Sequence, residues 1–204
     1  MRVFMMALKK NQLFLWIAAF LLFGSSVLGY VFHNEVKPLV DEALKQLASI
    51  AESLQNDPSY LNTFLTIFLN NLRATFVMLI SGFLFGIFPI FSLLLNGFML
   101  GFVLQEAATQ YDVHPFTLFV SQILPHGVLE FPAIIIAAGL GLKYGWLIFR
   151  GMGSVFSESI RVNVGKQFRE VFRQTPIVFL GIVILLVFAA AIEAALIVLA
   201  QALA

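Results

Sequence analysis

Between Leu13 and Phe32 the chain runs for twenty residues without a charged side chain. A helix of that length, at about 1.5 Å per residue, crosses a hydrocarbon core of about 30 Å. Similar runs recur at 74–90, 91–107, 116–141 and 176–200, each with at most one charge. In a bilayer core every backbone N–H and C=O must be satisfied within the segment, which selects helices. Composition agrees. The chain is 60% hydrophobic and 11% charged, with a mean hydropathy of +0.95. A soluble domain carries about a quarter charged residues. The expectation is an all-α, polytopic membrane bundle of about five transmembrane helices, forming one unit over 1–204.

The N-terminus admits two readings. Basic residues precede an apolar run, and Gly24-Ser25-Ser26 resembles a cleavage site. The run is longer than a signal core, which favours an uncleaved helix. A net charge of +1 gives no electrostatic support for nucleic-acid binding. The absence of cysteine removes disulfides, thiolate metal sites and a cysteine nucleophile.

Polar segments separate the runs. In 33–60, Leu39, Val40, Ala43, Leu44, Leu47, Ile50, Ala51 and Leu54 recur at helical spacing, predicting an amphipathic helix at about 36–56 that stops at Asp57-Pro58. A second amphipathic stretch is expected at 155–173, within a polar 142–175 segment. Residues 61–73 fit either an interfacial helix or the first turns of the second span. Pro89 marks the expected turn between spans two and three.

The basic residues set an orientation. Arg2, Lys9, Lys10, Lys143, Arg150, Arg161, Lys166, Arg169 and Arg173 fall on one side of the five spans, against Lys37, Lys45 and Arg73. The positive-inside rule puts the N-terminus and 142–175 in the cytoplasm. Five spans then put the C-terminus outside the plasma membrane.

The chemistry concentrates in "QILPHGVLEFPAIIIAAG", Gln122 to Gly139. His126 and Glu130, four apart, share a helix face with Gln122, and Ala133, Ala137 and Gly141 continue that stripe. Pro125 and Pro132 free the carbonyls of Ser121 and Val128, which points to a kinked helix or two half-helices. Intramembrane ionisable groups cost about 2.5–3.5 kcal/mol each on insertion scales, which favours a functional site over mere packing. The packing alternative is a hydrogen-bonded pair that only fixes helix geometry. "HGVLE" lacks the second histidine of HExxH, and GxSxG is absent, so the reading is non-enzymatic. Two chains about a twofold axis would supply two His and two Glu, enough for Zn or Mn.

Asn96 is a further candidate contact, although Asn70, Asn71, Arg73 and Asn96 read first as packing or interface groups. Glu193, deep in the last span, is protonated or paired with Arg73 or His126. His33 and His114 read as surface histidines. Gly82 with Gly86, and Gly97 with Gly101, have GxxxG spacing, which predicts close helix packing and, with the polar stripe, a homodimer.

Asn70-Asn71, the 82–86 glycine spacing, "NGFMLG" at 96–101 and above all "PHGVLEFPAIIIAAGLGLKYG" at 125–145 together resemble the stage II sporulation protein M family. The resemblance covers nearly the whole chain. It implies a multi-span membrane protein. The founding member acts in engulfment, in a membrane complex with peptidoglycan-degrading partners, and relatives occur in organisms that form no spores. It assigns no catalytic residue. Two readings follow. One is a small transporter or channel using His126 and Glu130. The other is a non-enzymatic scaffold that recruits membrane or envelope proteins. An intramembrane metal-dependent hydrolase is a weaker third.

Overall fold

A computed structural model describes residues 2–56, 59–153 and 158–203. These residues form helices α1 (Arg2–Lys10), α2 (Gln12–Val31), α3 (His33–Asn56), α4 (Tyr60–Ser81), α5 (Ile87–Tyr111) and α6 (Pro115–Leu118). A π-helical turn at Phe119–Ile123 leads into α7 (Leu124–Met152), and α8 (Glu158–Leu203) completes the chain. Among the described residues, five helices are long and apolar enough to cross a membrane. The protein is an all-α membrane bundle.

The first span matches expectation, and three boundaries differ. Residues 61–73 belong to one continuous helix with 74–81, opened by Ser59, whose hydroxyl accepts from Asn62 N at 3.4 Å. The turn between spans two and three lies at 82–86 rather than at Pro89. Phe85 (φ 57°) and Gly86 (φ 72°) take left-handed conformations there. Pro89 is the third residue of α5, where a backbone N–H has no intrahelical partner to lose. The polar 142–175 segment is not a loop with its own helix. α7 continues to Met152, and α8 runs 46 residues through Pro176, absorbing the amphipathic stretch from Glu158 onward. Residues 155–157 and Asp57-Pro58 lie outside the described residues. The 36–56 helix is contained in α3, whose Val36 and Val40 are buried with Phe102 of α5.

α7 is the central helix. About two-thirds of its most apolar stretch is buried, 67% against 22–28% for the other four spans. Small residues explain why it can be surrounded. Ala133, Ala137 and Ala138 are almost fully buried. Gly82 meets Gly141, and Gly86 meets Gly145, so the α4–α5 turn rests backbone to backbone on α7. α2 and α5 run parallel and equally close. Gly97 faces Leu22 and Ser25, Gly101 faces Ser26 and Tyr30, and Gly29 faces Phe98. Ser25 Oγ bonds its own helix at Leu21 O, 2.6 Å, which hides the hydroxyl from lipid. All four glycines expected to mark packing are therefore consumed within one chain. They provide no surplus surface for a second copy.

α8 lies antiparallel to α7. Tyr144 Oη and Thr175 Oγ1 are 2.5 Å apart, and Tyr144, fully buried, stacks on Phe83 at 4.5 Å. Val164, Val171, Val178, Ile182 and Leu186 of α8 fill the core alongside Ile136, Leu140 and Leu147 of α7. At one end of the bundle α1, α7 and α8 gather the basic residues, joined by the Lys10–Glu170 ion pair and the Lys143–Gln167 bond of 2.9 Å. The other end holds α3 and the start of α4, where Tyr60 Oη donates to Ala191 O at 3.3 Å.

Candidate functional site

The segment from Pro115 to Met152 is one interrupted helix, not two halves. His114 caps its start, with Nδ1 accepting from Phe116 N at 3.2 Å. That is a local role the sequence reading missed, and His–Pro at a helix start was its signal. Pro125 has no N–H for the carbonyl of Ser121. The chain absorbs the misfit by widening one turn, and Leu124 N bonds back five residues to Phe119 O. Such π turns concentrate at functional sites. Pro132 lies inside α7 and leaves the carbonyl of Val128 without its helical donor.

This geometry places the expected residues as follows. Gln122 sits in the π turn and is exposed; Glu130 is half-buried in α7. Glu130 begins the stripe that continues through buried Ala133, Ala137 and Gly141. The neighbouring Phe131 meets Phe23 edge-on at 5.7 Å, and Phe23 lies near the middle of α2. Glu130 therefore lies close to the level of the middle of α2. The side chain of His126 lies outside the described residues; its backbone is helical in α7. Asn96 donates to Ser92 O at 2.7 Å, within its own helix, so its amide serves α5 locally.

Glu193 is half-buried on α8 between buried Ala190 and Ala194. It follows Ile182 and Leu186 on the core-facing stripe. Arg73 is exposed on α4 and makes no ion pair among the described residues. Among the described residues no three His, Asp or Glu side chains gather as a metal site.

A second polar group was not legible in the sequence. Lys143, at the basic end of α7, bonds Gln167 Oε1 at 2.9 Å and stands over the Phe14 ring at 5.1 Å. Lys10, Asn11, Glu170 and Gln174 complete a small polar cavity of about 230 Å³. Asn11 is buried and donates to Ala7 O at 2.9 Å, which holds the bend between α1 and α2. Its partners are distant in sequence, so spacing could not assemble it.

The family model for stage II sporulation protein M matches residues 17–196. The chain belongs to the stage II sporulation protein M family. This family member is similar to an uncharacterised protein of Methanocaldococcus jannaschii, 30% identical over 118 residues, 57% of this chain and 60% of that protein. It is also similar to a second from the same organism, 31% identical over 84 residues, 41% of this chain and 34% of that one. The matched stretch thus covers less than two-thirds of either relative. No solved structure matches.

Proposed function

We propose that this stage II sporulation protein M family member is a small membrane transporter or channel for an ion or small solute. The observation that carries the reading is that the facing core stripes of α7 and α8 both turn from apolar to ionisable in the same direction. Tyr144 and Thr175 pair across that interface. Moving away from the pair, α7 reads Leu140, Ala137, Ala133, Glu130, and α8 reads Ile182, Leu186, Ala190, Glu193. Eighteen residues make about five helical turns. Position 126 is eighteen before Tyr144, and Glu193 is eighteen after Thr175, so along the antiparallel pair the two positions lie at comparable depth. Glu130 of α7 and Glu193 of α8 are then read as ionisable groups along this interface, near a π turn and two prolines, with position 126 one helical turn before Glu130 in sequence. Irregular backbone at membrane depth is characteristic of helices that line substrate paths.

The basic end of the bundle is read as cytoplasmic, which puts the N-terminus inside, α3 outside and the C-terminus outside the plasma membrane. A divalent ion of Zn or Mn type is one candidate cargo or ligand for the group, since imidazole and carboxylate suit it.

Glu130→Gln and Glu193→Gln test the reading, each removing a charge while keeping size. Reconstituted protein is measured for thermal stability, metal content and ion flux. Lost flux or lost metal with the fold retained supports it. Unchanged flux and metal content with lowered stability makes these groups packing elements.

The scaffold reading has its own support. The first turns of α8 carry Arg161, Lys166, Arg169 and Arg173, all exposed. Lys166, Arg169 and Arg173 make no ion pair among the described residues. That arm offers a surface for acidic partner proteins, and pull-down of membrane complexes with the arm neutralised would expose its loss.

A further inference from the structure

Beyond the ionisable group, the bundle has a long apolar groove of about 820 Å³ bounded by α1, α2 and α7. Its body is formed by Met6, Leu15, Trp16, Ala19, Phe23 and Ile135. At one end stand two polar side chains, Lys9 and Gln12, both exposed. Lys9 makes no ion pair among the described residues, whereas its neighbour Lys10 is committed to Glu170.

Two dimensions identify an occupant. From Gln12 to Phe23 the groove follows α2 for about 17 Å at helical rise. Half of a hydrocarbon core is about 15 Å. The groove therefore spans one leaflet, from the basic end of the bundle to the bilayer middle at Phe23. Its chemistry changes along that length in the order of a phospholipid, with a cation and an amide at the headgroup level and then only hydrocarbon. Trp16, one turn in and 74% exposed, is suited to the interface.

We infer that the α1–α2–α7 groove binds one anionic phospholipid from the leaflet at the basic end, with its phosphate held by Lys9 and Gln12 and an acyl chain lying along Trp16 and Ala19 to Phe23. The occupant is a phospholipid because the groove beyond Lys9 and Gln12 is apolar, which a free phosphate or a soluble anion would not fill. It is anionic because the headgroup end presents an unpaired cation.

The protein has two tryptophans, Trp16 in the groove and Trp146 outside it. The full chain carrying Trp146→Phe reports on the groove alone. It is reconstituted in vesicles in which either an anionic or a zwitterionic phospholipid carries brominated acyl chains, which quench tryptophan on contact. Trp16 should show a relative binding constant for the anionic lipid about fivefold above the zwitterionic one, the scale expected for one basic residue. Lys9→Gln, an exposed substitution that leaves the fold untouched, should bring the ratio near one. The companion protein carrying Trp16→Phe should show a Trp146 ratio that Lys9→Gln does not move. A ratio near one with Lys9 present, a ratio unchanged by Lys9→Gln, or an equal drop at Trp146 would each overturn the site. The last would reduce the effect to general surface charge.

Discussion

The Cα of Gly82, in the α4–α5 turn, is seated so closely on Gly141 of α7 that a Cβ on Gly82 would overlap the Gly141 backbone. Neither side can give way, because both surfaces are main chain. Gly82→Ala should therefore destabilise the protein by about 1–3 kcal/mol, the range for overpacking. Gly24→Ala in α2 is the matched control, since nothing lies within 4 Å of its added methyl. Thermal unfolding in detergent should show a lowered midpoint for the first and none for the second.

Tyr144 links α7 to α8 through Thr175 and is fully buried against Phe83 and Phe168. Tyr144→Phe keeps the stacking and removes one hydroxyl. Thr175 still donates to Val171 O at 2.9 Å, so no polar group is stranded. The expected loss is about 0.5–1.5 kcal/mol. Tyr144→Ala opens a cavity and should cost about 3–5 kcal/mol. Equal losses from the two, read by calorimetry, would mean that the hydroxyl and not the ring holds the helices.

The homodimer is proposed through a surface other than the glycines. Asn70 and Arg73 are exposed on α4, inside the second span. An arginine facing lipid costs about 2.5–3.5 kcal/mol, so this face calls for cover by protein. Val77, one turn beyond Arg73 and 39% exposed, is the reporter position in a chain without cysteine. Val77→Cys should give a disulfide-linked dimer on oxidation in membranes. Leu180→Cys, 59% exposed on α8, should not. A cysteine at Gly97 or Gly101 would instead collide with α2 and cannot report on association. A strictly monomeric Val77→Cys protein would remove the dimer.

Topology is testable by the same means. Asn163→Cys on the basic arm and Glu52→Cys on α3 are both exposed positions. A membrane-impermeant maleimide should label the second in intact cells and the first only after permeabilisation. The reverse pattern would invert the orientation and place the lipid groove in the outer leaflet.

The charge-free stretch Leu13–Phe32 and the other apolar runs were enough to determine a helical membrane protein with five spans, because hydrocarbon leaves the backbone no other solution. The small-residue stripe Ala133, Ala137, Gly141 was also legible as a protein-facing surface, because helical period alone assigns a face. Boundaries were not. The turn at 82–86 and the 46-residue α8 depend on what packs against them, and an apolar run does not say where tertiary contact lets a helix bend or continue. The largest change concerns the glycines. GxxxG spacing announces a close approach without naming the partner, and only the tertiary arrangement decided that Gly82 meets Gly141 and Gly97 meets Ser25 within one chain. The same holds for Lys143. Lys143 meets Gln167 only through the antiparallel packing of α7 and α8, a relation between residues 24 apart that no local pattern encodes.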